Sequence, residues 1–261
     1  MELQTPILPG YPDFWPTAFS AHQKFFEAAE KTERPINEIY SVGQTEPLHK
    51  VLRHLTKMVC NSFSGLLILG VNGFGFDAMK LARGMFETAL IAAYLKQHPE
   101  EFDDYMDFHW VTAMKRHRYV VKHTPDLLKT IRPEAIREIE ENYARIAPRF
   151  KDRNGKVRGR WSKKSFAQIA EDLGVAENYE TFYRFASSMH HGDISGLMMQ
   201  VDPEEGVLDV NIAPSLEWVG EALISGHMAM LVAVSEYVDC CLPEKSGLAK
   251  QLEADFMAAW K

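Results

Sequence analysis

The period of the apolar residues constrains this chain most. From Glu46 onward Leu48, Val51, Leu52, Leu55, Met58 and Val59 fall at intervals of three and four, one stripe of an amphipathic helix. Gly73 and Gly75 break that run. Asp77 is placed to cap a second helix reaching about Gln97, nearly apolar all round through Leu81, Met85, Phe86, Leu90, Ile91, Tyr94 and Leu95. Such a helix belongs at the centre of a bundle. A strand period of two occurs in one place, where Met198–Val201 and Val207–Ile212 flank a Pro- and Gly-containing turn. The expectation is an all-α, multi-helix bundle of eight to ten helices with a small β-hairpin insertion.

The 261 residues read as a single helical domain: an N-terminal arm and helix over 1–44, a core bundle over 45–197, the hairpin over 198–213 and C-terminal helices over 214–261. Within the first part Pro16 to Lys31 reads as one helix, and Glu33 to Thr45 as a loop. Further helices are expected over 99–123, 165–173, 176–191, 218–238 and 246–260.

The opening Met1–Pro6 has neither the charged nor the apolar region of a signal peptide. The longest unbroken apolar stretches fall short of the roughly 20 residues of a membrane span. Three cysteines, two of them adjacent, make no disulfide framework. A cytoplasmic protein with no membrane association is expected.

The formal net charge of −7 is unevenly spread. Residues 149–164 hold eight Lys/Arg and one acid, whereas residues 165–261 hold four cations and sixteen acids. In the first segment Arg153, Lys156, Arg158, Arg160, Lys163 and Lys164 surround Trp161, with Phe150 nearby. Cations interleaved with aromatics suit single-stranded nucleic acid. The plain alternative is a solvated loop. Lys115, Arg116, His117, Arg118, Lys122 and His123 make a second basic cluster.

Arg184 is the sole Lys or Arg between Ser165 and Glu244. With Ser187, Ser188 and His191 it recurs at i, i+3, i+4 and i+7, one face of a helix. Apolar residues on the other faces imply a packed helix and a partly buried polar stripe. One reading is structural: Arg184 bridges acidic neighbours and His191 meets the negative end of the helix dipole. The other is catalytic. Histidine exchanges protons near neutral pH, arginine holds phosphate, and Ser187 orients either. RNA cleavage by its own 2′-OH needs no metal.

Arg83 and Glu87 lie at i, i+4 on the apolar helix and read as a buried ion pair that fixes packing. An alternative places Arg83 in the same cavity as Arg184 and His191. Other motifs are weaker. Ile169 to Val175 resembles the start of a helix-turn-helix, but Glu177 and Glu180 would face phosphate. Glu46-Pro-Leu-His49 occurs once, where a di-iron bundle needs two such pairs. His190 and His191 diverge by about 100° on a helix, so they chelate one ion poorly. Cys240 and Cys241 sit beside acids, which does not favour a thiolate. No metal site and no cofactor are expected.

Two resemblances add to this. Arg160-Trp161-Ser162, Ser165, Ala170, Gly174, Tyr183, Ser187-x-x-x-His191 and Gly196-Leu197, with Arg83-Gly-Met-Phe-Glu87, resemble a family of uncharacterised bacterial helical proteins. That family is catalogued as a domain of unknown function, number fifty-six seventy-seven, and the similarity spans roughly residues 46–200. It implies a helical fold and no activity. The six residues between Arg184 and His191 are also similar to the HEPN superfamily signature. This likeness implies a metal-independent ribonuclease of toxin–antitoxin or phage-defence type, acting as a homodimer on RNA, with an antitoxin or other partner protein. His191 would be the general acid/base, Arg184 the phosphate-binding cation and Ser187 a supporting residue, with Arg83, Glu87 and His190 supporting the site. Phe185 departs from the signature, which often has a polar residue after the arginine. The competing expectation is a non-catalytic helical module that binds a partner protein, small ligand or nucleic acid.

Overall fold

A computed structural model of the chain describes residues 10–191 and 213–260. Among them are twelve α-helical segments, joined by 3₁₀ turns most of which begin at a proline, and no β-strand. The all-α class therefore stands. The hairpin expected over 198–213 lies, apart from Ala213, outside the described residues.

The chain packs as two compact units, one of residues up to Gln97 and from Phe166 onward, the other of residues His98–Ser165. In the larger unit α1 (Trp15–Ala21), α2 (Gln23–Glu30) and α3 (Glu33–Tyr40) precede the long helices α4 (Pro47–Val71) and α5 (Gly75–Gln97). Then come α8 (Phe166–Asp172), α9 (Ala176–Asn178), a π-helical turn at Tyr179–Tyr183 and α10 (Arg184–His191). The unit ends with α11 (Val219–Cys241) and α12 (Ser246–Trp260). The smaller unit holds α6 (Phe102–His123) and α7 (Pro133–Ile146).

Three helices make the core of the larger unit: α5 packs against both α4 and α11, and α4 against α11. As its composition demands, α5 is buried through Ala78, Met79, Ala82, Met85, Ala89, Leu90, Ala92, Ala93, Tyr94 and Leu95. Many of these are alanines, which let neighbouring helices approach closely. α4 buries Leu52, Leu55, Val59, Phe63 and Leu66 and leaves Met58 exposed. It is, among the described residues, the one helix with the length and apolarity of a membrane span. The fully buried Thr56 on it has its single hydroxyl proton within reach of the carbonyls of Leu52 (2.9 Å) and Ala233 (3.1 Å).

The entry to α5 is tight. Gly73 adopts φ +74°, and a side chain at Gly75 would lie 2.0 Å from the Glu217 carbonyl oxygen. Asn72 ties the N-terminal segment to this turn by accepting from the Tyr11 amide (2.7 Å) and the Trp15 indole (2.9 Å).

Two local expectations change. The single helix over Pro16–Lys31 is two, broken at His22. The loop expected over Glu33–Thr45 contains α3, which buries Ile39. Pro35 is compatible with it because the first-turn amides of a helix lack intrahelical acceptors.

In the smaller unit Phe150 is completely buried with Val111 and Ile146, and Phe108, Trp110, Tyr143 and Val157 pack on them. Residues 151–157, expected as a plain loop, fold into a tight turn closed by an antiparallel bridge between Lys151 and Val157. Asp152 organises it: its carboxylate accepts from the Asn154 and Lys156 amides, each at 2.9 Å, and Gly155 supplies φ +75°.

His227 of α11 is 2% exposed, between the rings of Phe63 (4.9 Å) and Phe256 (4.6 Å). Burial pushes its pKa down to about 4 from an ordinary 6.5. The folded chain therefore keeps this imidazole neutral while the unfolded chain protonates it below pH 6.5. As pH falls through that window the unfolded state binds the extra proton, and stability drops by an order of 3 kcal/mol. Replacing His227→Phe should flatten this part of the profile, read as urea midpoints at pH 7 and pH 4.5. An unchanged difference between the two midpoints would refute it.

Candidate functional site

The segment 176–191 is where the sequence and the geometry converge, but it is not a uniform α-helix. The Arg184 amide reaches back five residues to the Tyr179 carbonyl, which makes Tyr179–Tyr183 a π turn. Such turns shift the phase of all side chains on either side and recur at functional sites.

The shift separates two neighbours. Tyr183 turns inward, 8% exposed, onto α5. Its hydroxyl donates to Glu87 Oε1 (2.5 Å) and accepts from Arg83 Nη2 (3.0 Å), while Arg83 and Glu87 pair directly at 2.9 Å. The guanidinium also lies 4.9 Å from the centre of the Tyr183 ring. Burial, the hydrogen bond to Glu87 and the charge on Glu87 push the Tyr183 phenol up to about 12, against the opposing effect of Arg83. The ion pair expected of Arg83 and Glu87 forms, and the tyrosine closes it into a three-membered knot.

Arg184 points the other way. It pairs with Glu180 at 2.8 Å on the surface, its side chain 66% exposed, and that contact raises its pKa. His190 and His191 are both exposed, their rings 5.1 Å apart. Ser187 and Ser188 are half-buried, and the Ser188 hydroxyl donates to the Phe185 carbonyl (2.7 Å). The expected partial burial of the whole stripe is thus corrected at its two ends. Ala186 and Met189 carry the packing of α10, and Phe185 packs on Trp218 with ring centres 5.0 Å apart. Arg83 is engaged by Glu87 and Tyr183, whereas Arg184 is engaged by Glu180, so the alternative of one shared cavity is not realised.

Beside the π turn lies an apolar cavity of about 220 Å³, lined by Phe182, Phe86, Ala89, Leu173, Met228 and Val232 among others. No sequence pattern pointed to it, because its walls come from α5, α11 and the 173–182 segment.

The basic residues divide by role. Arg153, Lys156, Arg160 and Lys163 are exposed, and Lys164 is half-buried. Arg158 is half-buried, its guanidinium 5.3 Å from the centre of the Phe150 ring. Arg149 is engaged by Asp104 and by Asp107 (2.8 Å). Trp161 packs edge-to-face on Tyr105 at 5.3 Å, and Phe150 is core, so neither ring stands free as a stacking platform. In the second cluster Lys115, Arg116, Arg118, Lys122 and His123 are exposed, while the His117 ring lies 3.8 Å from Glu140. Residues 98–165 hold sixteen Lys/Arg against eleven Asp/Glu, so the smaller unit is net +5 and the rest of the chain −12.

A further set escaped the sequence reading. One ring nitrogen of His49 and the thiols of Cys240 and Cys241 lie within 4.8 Å of one another. The adjacent cysteines and the Glu46-x-x-His49 pair were visible separately. Nothing in their spacing joins positions 49 and 240.

These features define a two-unit helical protein with an exposed Arg–Ser–His helix and a separate basic unit. The chain belongs to the family of unknown function DUF5677, whose model matches residues 49–207. Comparisons with curated proteins and with solved structures returned no match.

The knot on α5 yields a stability test. Tyr183→Phe removes both hydroxyl contacts and should cost about 1–2 kcal/mol, with Arg83→Ala costing more because Glu87 loses its cation. Denaturant titration checks this, and equal stability of all three proteins would exclude an energetic role for the knot.

Proposed function

We propose that this protein is a HEPN-like, metal-independent endoribonuclease of bacterial defence or toxin type, acting as a homodimer. The observation that carries the reading is the exposure of Arg184 and His191 on one face of α10, which otherwise is anchored from within. The pairing of Arg184 with Glu180 is the contact that the structural reading expects. Here the arginine holds one surface carboxylate, a kind of contact worth little and readily exchanged. An RNA phosphate competes with Glu180 for the guanidinium and gains the bidentate geometry that arginine offers.

In this reading His191 takes the proton from the ribose 2′-OH. The freed oxygen attacks the adjacent phosphorus, the bond from phosphorus to the 5′ oxygen breaks, and a 2′,3′-cyclic phosphate remains. The His191 of a second copy returns a proton to the leaving 5′ oxygen. Arg184 offsets the charge that builds on the phosphoryl oxygens, and Ser187 orients the imidazole or the substrate. No cofactor enters the scheme.

The competing reading, nucleic-acid binding without cleavage, is favoured by the smaller unit. Its turn presents Arg153 and Lys156, and Arg160 and Lys163 follow, all exposed. A partner protein acting as antitoxin fits either reading, and so does a cytoplasmic location.

Both positions on α10 are exposed, so substitution there leaves stability within about 0.5 kcal/mol. His191→Ala should lower RNA cleavage by roughly 10²–10⁴-fold while RNA binding persists. Cleavage at the unaltered rate would overturn the assignment. Reversing Arg153, Lys156 and Arg160 together to Glu should weaken RNA binding and reduce the slope of log affinity on log salt by about 3. An unchanged slope would remove the turn from the binding surface.

A further inference from the structure

A second site stands apart from the Arg184–His191 helix and does not depend on the ribonuclease reading. His49 lies in the first turn of α4, and Cys240 and Cys241 end α11. The imidazole nitrogen and both Sγ atoms lie within 4.8 Å of one another, and all three residues are half-buried. We propose that His49, Cys240 and Cys241 bind a single soft d¹⁰ cation, zinc(II) or copper(I).

The donor chemistry is the first argument. Two thiolates and an imidazole select zinc and copper(I) over the hard cations, which take oxygen. A tetrahedral zinc with bonds of about 2.3 Å to sulfur and 2.0 Å to nitrogen holds its donors roughly 3.4–3.8 Å apart. The donor atoms lie no more than 4.8 Å apart, at most about an ångström beyond that range.

The second argument is what else the pair of thiols can do. All three cysteines of the chain are free. Neighbouring Cα atoms stand about 3.8 Å apart, below the range of about 4.4–6.8 Å that disulfides span. Adjacent helical side chains diverge by about 100°, yet both thiols come within 4.8 Å of each other and of the imidazole of His49, from a helix almost two hundred residues away in sequence.

The surroundings supply the third argument. Lys96 pairs with Glu236 at 2.6 Å and with Asp239 at 3.6 Å. The two carboxylates offset the Lys96 ammonium, whose charge reaches Cys241. On binding, each thiol releases its proton to solvent, two per ion, and the histidine ligates as the neutral ring. Three protein ligands leave zinc a fourth position for water, whereas copper(I) is complete with three.

The test uses the full chain, stripped of metal under reducing conditions. Cobalt(II), as the probe for zinc, should add one thiolate-to-metal charge-transfer band per chain, and zinc should abolish it. In a parallel arm, copper(I) held by a coloured chelator should transfer to the protein at one per chain. Either arm alone supports the site and names the ion. The Cys240→Ser/Cys241→Ser double variant should lose the response, and Cys60→Ser should keep it, both with native circular dichroism. His49→Ala should weaken binding by more than the roughly 10–100-fold that loss of an outer supporting group costs. Silence in both arms, or a response that survives the double variant or vanishes equally in Cys60→Ser, would overturn the proposal.

Discussion

The larger unit depends on the burial of α5 between α4 and α11. A helix apolar on every side has no stable place in water, so the chain must wrap it. The alanines at 78, 82, 89, 92 and 93 permit close approach, and Tyr94 and Leu95 fill the end of the same core. Arg83 and Glu87 are charges in the middle of that helix, and they are tolerable there because each satisfies the other and Tyr183 satisfies both. The knot therefore has a second effect beyond pairing. It fixes where the 176–191 segment docks, since Tyr183 can meet both charges from one place.

The charge distribution follows the division into units. The −7 of the whole chain averages a net +5 over residues 98–165 and −12 over the remainder. A polyanion approaching at low salt is drawn to the smaller unit and repelled by much of the larger one. Arg184 lies in the repelling part, already beside Glu180. Any polyanion that reaches it must displace that carboxylate.

Much of the fold was legible because helical periodicity reports burial directly. Leu52, Leu55 and Val59 are core residues as their spacing required, and α5 is central as its uniform apolarity required. What was hidden depends on contacts between distant residues or on backbone irregularity. The π turn has no signature in a period-based reading, yet it shifts the phase of the side chains on either side of it. The turn over 151–157 reads as charge without order, because its organiser is the single Asp152. Phe150 and Trp161 look like stacking rings among cations, but the apolar surface of the smaller unit claims them first. His49 and the two cysteines were each passed over alone, since their meaning lies in a distance that spacing along the chain does not encode.

The same irregularity explains how α10 can be both anchored and exposed. A regular helix of this length would spread its anchoring over one stripe and its polar residues over the opposite one. The extra residue in the π turn rotates the incoming phase, so that Tyr183 engages α5 while the turn beginning at Arg184 starts afresh. From there Ala186 and Met189 hold the inner side, Phe185 leans on Trp218, and Arg184 and His191 are left to solvent. A polar residue after the arginine, as in the signature this helix resembles, would lose the Trp218 contact. Phe185 thus carries a packing contact on a face that neither Arg184 nor His191 occupies.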